Sequence, residues 1–570
     1  MKYILLIYIV LAGLFLVSCG ETEPDVASLV AIGGKKYGGE FKFMSPEKIN
    51  SLIPTESSNH YSSRIVSQIF DPLLRLNTLT MKAIPAVAES FSISDDALVY
   101  TFKIRKGIFF HKDNCFGDEP HELNAYDAKF TLDLACSGLD INHVDYLLVN
   151  RIKGAKDFNE ATATKFDDKG VSGIVVIDDY TLQVHLVSPF SGFENIITHP
   201  GLGVFPKEAY KKYGDNLYKH AVGSGPFTLE KMTEDKITLK RNANYWKKDE
   251  LGNQLPFMSK VIVTYTNDKR HELLAFRESS IDLVLEVPVE EIEHILGTLL
   301  EAQEGKNVRH KVDSEKSLSM AYIAMACESS EFSNPDVRRA FNLAINRTEI
   351  VNTKLDGEGW VATNGFVPSM RNYPNEEIVG HVYNVLEAKE LMAKAGYANG
   401  KNFPALDFYV NAVEGSSAYK LCKAVSEQLK ANLNVDLNIK LCTMGERKAA
   451  VASGEAKIWR SGWIADYPDP ESFLSLFYGG NITRFGSLNL FKFQSDEYDT
   501  LFESAISEVN PKKRTELLVK CDQMIIKQAA LIPMLTEDHI VMINVRVRNF
   551  KSNSMESLNL TEVYIKEPRK

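Results

Sequence analysis

One apolar run near the start sets the terms on which this chain folds. Behind Lys2 stands YILLIYIVLAGLFLV, Tyr3 to Val17, without a single charge. A bilayer span takes about 20 such residues, so the run has the proportions of an export signal and not of a membrane span. No second run of that length follows. The rest must therefore fold as a water-exposed body, and at 570 residues it is too long for one core, so several domains are expected. A formal net charge of −10, with acids and bases interspersed, supplies no basic stripe and excludes nucleic acid as a partner.

The apolar run ends in Leu16-Val17-Ser18-Cys19, which resembles the bacterial lipobox, with Cys19 as the lipidated first residue of the mature chain. Several acyl chains on one residue give stable anchoring where one gives only marginal binding. The expectation is a protein tethered to the cell envelope by Cys19, on the periplasmic or extracellular side. Residues 20–39, acidic and then glycine-doubled without a period, read as a linker. The other cysteines (Cys115, Cys136, Cys327, Cys422, Cys442 and Cys521) show no C-x-x-C spacing, which weighs against structural zinc and thioredoxin-like chemistry.

Strands and helices mix along the body. In LVYTFKIR (98–105), Leu98, Tyr100, Phe102 and Ile104 alternate with Val99, Thr101, Lys103 and Arg105, predicting a half-buried strand; TLQVHLV (181–187) repeats the pattern. NPDVRRAFNLAINRTEIV (334–351) predicts one helix, capped by Asn334 with Pro335 in its first turn and a stripe of Val337, Ala340, Phe341, Ala344 and Ile345.

Catalytic signatures are absent. The chain has no G-x-S-x-G nucleophile elbow and no phosphate-binding G-x-x-x-x-G-K-[ST]. His271-Glu272 begins like a zinc-protease helix, but Ala275 stands where the second ligand belongs. GSGPF (Gly223 to Phe227) opens no helix and reads as a structural turn. The loop HKDNCFGDEPHE (111–122) gathers His111, Asp113, Cys115, Asp118, Glu119, His121 and Glu122 without a recognisable ligand spacing; it reads as a polar surface insertion, and no metal or cofactor is assigned.

Several segments together resemble the family 5 extracellular solute-binding proteins, the peptide and nickel receptors of ABC importers. These are FDPLLRL (70–76), residues 84–111, NAYDAKF (124–130), VGSGPFTL (222–229), RNANYW (241–246), DVRRAFNLAINRTEIV (336–351) and GWIADYPDP (462–470). Ser224 and Ala128 depart from the family's usual residues, and its short F-H-D-G turn is opened here into the loop 111–122. The resemblance implies an α/β, two-lobe, type II periplasmic-binding-protein-like fold with an additional third domain. On this numbering residues 1–18 are the signal and 19–35 the tether. Lobe I is discontinuous (36–70, 205–268 and 532–570), the extra domain is 71–204 and lobe II is 269–531. It also implies a monomeric receptor that closes on a peptide by hinge motion and delivers it to an ABC permease and ATPase complex. A metal chelate, haem or an oligosaccharide on the same fold is the alternative, and an exported hydrolase fits the residues less well.

The resemblance further implies a role for each residue of the stretch around WRSGWIADYPDP (459–470). Asp466, fourth in Trp463-Ile464-Ala465-Asp466, would pair with the free α-amino group of the peptide, since a carboxylate makes charge-assisted bonds to an ammonium. Arg460 matches a position that holds the peptide carboxylate in some oligopeptide binders. On one extended strand, however, Arg460 and Asp466 would stand about 20 Å apart, too far for a tripeptide, so a bend intervenes or Arg460 serves another end. Trp463, Trp459, Tyr467 and Phe130 are candidate pocket walls.

Overall fold

The computed structural model describes residues 30–57, 59–287, 310–370, 372–482 and 488–566. The apolar run and Cys19 lie outside them. The end of the expected linker is not free: the Ile32 amide donates to the Asn253 side chain at 2.8 Å, and Lys35 pairs with Asp249 at 2.8 Å. Fixed polar partners on a folded surface override the linker-like composition here.

Three larger sheets organise the described residues, beside two of two strands each. A seven-stranded sheet runs in the order His310–Lys316, Asp538–Asn544, Leu283–Val284, Glu40–Ser45, Lys260–Tyr265, Lys236–Arg241 and Phe227–Met232. A six-stranded sheet follows the order Trp360–Val361, Leu531–Thr536, Ser319–Met325, Ile458–Ile464, Leu406–Val410 and Leu437–Leu441. The third is antiparallel, in the order Ala88–Ile93, Val99–Ile104, Thr181–His185 and Ile174–Asp178. The alternation predicted for 98–105 is present, with Tyr100, Phe102 and Ile104 buried and Val99, Thr101 and Lys103 turned outward.

The chain passes from the first sheet to the second through residues 317–318 and returns through 537, and the two crossovers are joined by a Ser317 amide to Glu537 carbonyl bond of 3.1 Å. This moves the expected lobe limits. The strands Leu283–Val284 and His310–Lys316, placed in lobe II from sequence, are hydrogen-bonded into the seven-stranded sheet. Leu531–Thr536, cut by the expected limit at 531, lies wholly in the six-stranded sheet. Strands pair according to backbone partners far away in sequence, and local pattern does not carry that information.

Apolar residues of the seven-stranded and four-stranded sheets share one core, which includes Phe41, Phe43, Phe102 and Val184. The six-stranded sheet is covered on both faces. One face carries Ile323, Phe408 and Ile458 under the helices Pro335–Leu343 and Ser417–Leu433; the other carries Tyr322, Trp459 and Ala324 against Pro511–Lys527. The predicted helix 334–351 is two helices. Asn334 caps the first as expected, but Asn346 accepts the Glu349 amide and starts a second, Arg347–Lys354. Its Arg347 guanidinium is buried against the carbonyl of Pro533 at 2.6 Å and Asn342 Oδ1 at 2.7 Å, which holds the break in place.

The glycine turn is structural as read. A Cβ at Gly223 would stand 2.1 Å from the Ile69 carbonyl oxygen, and one at Gly225 would stand 2.6 Å from it, so both positions exclude any larger residue. Two of the family-like segments meet at one buried group: Asp71 of FDPLLRL accepts the Trp246 indole at 2.8 Å and pairs with Arg75. Those segments are alike for packing and not for chemistry.

Candidate functional site

Both mixed sheets aim their parallel strands at the same place. In the six-stranded sheet Leu406–Val410, Leu437–Leu441 and Ile458–Ile464 run parallel; in the other, Glu40–Ser45, Lys260–Tyr265 and Leu283–Val284 do so. The register pairs of the neighbouring antiparallel strands, Ser319 with Ile464 and Lys316 with Asp538, put the carboxyl ends of both sets at the crossovers. Open α/β sheets bind ligands in the crevice outside those ends.

Asp466 stands two residues past Ile458–Ile464. Its amide donates to Ser472 Oγ at 3.0 Å, and the Trp463 indole reaches the same oxygen at 3.5 Å, so the serine sets both. Among the described residues its carboxylate accepts one bond, 2.9 Å, from the hydroxyl of Tyr146 in the turn Asp145–Leu147. Burial pushes the Asp466 carboxyl up to about 7; the Tyr146 bond opposes this and the nearby charge of Glu471 adds to it.

The other acids of the segment have cations. Asp469 accepts both terminal nitrogens of Arg514, each at 2.9 Å, and the pair is buried. Glu471 is fully buried, accepts the Tyr467 hydroxyl and pairs with Arg151 at 2.5 Å. Arg151 also donates to the Tyr146 carbonyl at 2.8 Å, which fixes the turn that presents the Tyr146 hydroxyl. Both guanidiniums lie over the Phe190 ring, at 5.1 Å and 6.0 Å. Among the described residues, Asp466 alone of the three has no cationic partner.

A second charged group meets the crossovers, where Ser317 donates its hydroxyl to Glu556 at 2.5 Å. Arg64, 2% exposed on the helix His60–Ile69, donates through Nε to the Glu556 carbonyl at 3.2 Å. Its two terminal nitrogens have no hydrogen-bond partner and stand 3.6 Å from Glu286 and 3.6 Å from Glu556. Glu537, on the returning crossover, meets solvent yet is enclosed enough for burial to push its carboxyl up, while Arg460 draws it down. A separate cavity of about 140 Å³ beside the crossovers, lined by Lys316, Met320, Trp360, Thr363 and Thr536, is too small for a peptide, since drug-sized ligands occupy about 300–1,000 Å³.

The profile of the "Bacterial extracellular solute-binding proteins, family 5 Middle" matches residues 82–484, more than half of the chain. The chain belongs to this family. It is 27% identical over 513 residues to heme-binding protein A of Haemophilus influenzae, covering 88% of this chain and 87% of that one. With the glutathione-binding protein GsiB of Shigella flexneri it shares 25% identity, over 92% of each chain. Among solved structures, the ABC transporter-associated periplasmic binding protein DppA from Helicobacter pylori, in complex with peptide STSA, superposes with a TM-score of 0.77. Identity is 25%, covering 93% of this chain and 99% of that one. The fold is therefore the type II periplasmic-binding-protein fold, and the chain is an extracytoplasmic solute-binding receptor of the family that serves ABC importers.

In this receptor the residues expected at the site divide. Asp466 and Trp463 lie together on Ser472, at and just past the carboxyl end of Ile458–Ile464. Tyr467 is 3% exposed and turned into the core shared by the other two sheets, so it braces Glu471 and lines no open wall. Trp459, 1% exposed, packs on Phe491. Phe130 is displaced altogether. It is buried among Phe166, Phe205 and Tyr210, with ring centroids 5.4 to 5.6 Å away, and fills the core that the seven- and four-stranded sheets share. Arg460 faces away from Trp459 and Trp463 by strand alternation and acts on Glu537 instead of approaching Asp466. Sequence reasoning missed Tyr146, Arg151, Arg64, Glu286, Glu537 and Glu556. The one signal available was Arg64, the only charged residue among the buried positions of its helix, His60–Ile69.

Proposed function

We propose that this receptor captures peptides or small peptide-like solutes by their free α-amino group, which pairs with Asp466 and displaces or shares the Tyr146 hydroxyl. The observation that carries this reading is an enclosed carboxylate whose two acidic neighbours are each matched by an arginine while it has none. An ammonium is the group that would complete it, and exclusion of water on closure would strengthen the bond. The relative named for glutathione and the neighbour solved with peptide STSA support an amine-bearing ligand; a solute without an amine, such as haem, would leave Asp466 without a cation. Closure is a hinge motion of the two mixed sheets about residues 317–318 and 537, and the ligand acts by shifting the population toward the closed form. We assign the cleft binding and no catalysis. Monomeric and held to the envelope through lipidated Cys19, the receptor passes its cargo to an ABC permease. Native mass spectrometry of the purified protein tests the reading: a retained peptide or primary amine supports it, and retained haem or another solute without an amine overturns it.

A further inference from the structure

We propose that the receptor carries a divalent transition-metal site outside the cleft, formed by His121, Asp127 and Glu208. One ligand atom from each lies within 4.8 Å of the others. The three come from separate segments: His121 from the bridge that pairs 121–123 with 108–110, Asp127 from the helix Ala125–Ala135, and Glu208 from the first turn of Lys207–Tyr213.

The donors are held before any ion arrives. Phe110 donates its amide to the His121 carbonyl at 3.0 Å and Leu123 donates to Ile108 at 2.8 Å, so the histidine backbone is pinned on both sides. Its ring stacks on Phe116 at 4.6 Å and 17°. Asp127 uses Oδ2 to accept the Asn124 amide at 2.9 Å in a capping box, which leaves Oδ1 facing His121. Such outer contacts orient metal ligands. Glu208 is exposed and closes the group from the solvent side.

The key spacing is that of ligands on one ion. His121 Nε2 is buried and makes no hydrogen bond of normal length; its contact is a long ion pair with Asp127 Oδ1 at 3.6 Å. That is beyond a normal N–H···O bond of about 2.7–3.2 Å. Two donors bound tetrahedrally at about 2.0–2.2 Å stand roughly 3.3–3.6 Å apart. One imidazole and two carboxylates suit zinc or a neighbouring first-row ion, with water in the remaining position; calcium and magnesium demand more oxygen donors. The ion would tie the 108–123 bridge to both helices where the chain leaves the four-stranded sheet for the seven-stranded one. It shares no residue with the peptide cleft, so it is a fastening and not part of ligand recognition.

Cobalt(II) titration of the chelator-treated full-length protein tests this, read by visible absorption and by thermal melting. Wild type is expected to take one Co²⁺ tightly, with the visible band of a four-coordinate ion, no thiolate-to-metal charge-transfer band, and a raised melting temperature. Glu208→Gln, at an exposed position, is expected to weaken binding at least tenfold, and His121→Phe to abolish it, with cleft binding of peptide unchanged in both. Equal cobalt affinity in wild type and Glu208→Gln overturns the assignment, as does a thiolate charge-transfer signal or the absence of any specific binding.

Discussion

Asp466→Asn separates the two things this carboxylate does, because it should weaken binding while strengthening the fold. An unfolded Asp titrates near 3.9, whereas burial holds Asp466 at about 7. The folded protein therefore binds the extra proton between about pH 4 and 7, and stability falls as pH climbs through that window, with the full cost present above pH 7. About three decades at about 1.4 kcal/mol each give roughly 4 kcal/mol; the partial contact of Asp466 with water reduces the expected cost to about 2–3 kcal/mol. Asparagine keeps the shape, can accept the Tyr146 hydroxyl and never charges. Ligand-free Asp466→Asn should thus exceed wild type by about 2–3 kcal/mol in urea unfolding at pH 8, with most of the difference gone at pH 5. Its peptide affinity should fall by about a hundredfold to several-thousandfold, the loss of about 3–5 kcal/mol that follows removal of one member of a buried ion pair. A variant less stable than wild type at both pH values, or one with undiminished peptide affinity, would refute the reasoning.

Two other changes follow from the same network. Tyr146→Phe removes a donor that stabilises the ionised carboxylate, so the Asp466 carboxyl should rise further and affinity at pH 7 should drop roughly tenfold, recovering at pH 9 in a pH series of peptide titrations. Arg514→Ala leaves Asp469 buried and uncompensated; it should cost about 3–5 kcal/mol in urea unfolding, and the double change with Asp469→Asn should cost less than Arg514→Ala alone.

The legible parts of this chain were those set by neighbours in sequence. The strand at 98–105 followed from alternation alone, and the cap at Asn334 from residue type and the following proline. The break at Asn346 was not legible, because a second cap inside an unbroken apolar stripe is decided by where Arg347 finds its distant carbonyls. Asp466 was singled out because Trp463-Ile464-Ala465-Asp466 resembles a family segment, whereas Tyr146, which bonds to it, lies 320 residues earlier in a segment with no motif. Arg151 and Glu471 are separated equally far, and each alone reads as a surface charge. Phe130 was misplaced because an aromatic residue in a family-like segment carries the same letter whether it lines a cleft or fills a core. The lobe limits failed where strands crossed between sheets, since pairing partners and not composition decide membership.

The central claim, that Asp466 holds a ligand ammonium, is tested most directly by calorimetric titration of one peptide in free and N-acetylated forms against wild type and Asp466→Asn. Wild type should bind the free peptide at least about a hundredfold tighter than the acetylated one, and in Asp466→Asn that ratio should collapse toward one, because both changes remove the same bond. Equal affinity of wild type for the two peptides would contradict the account.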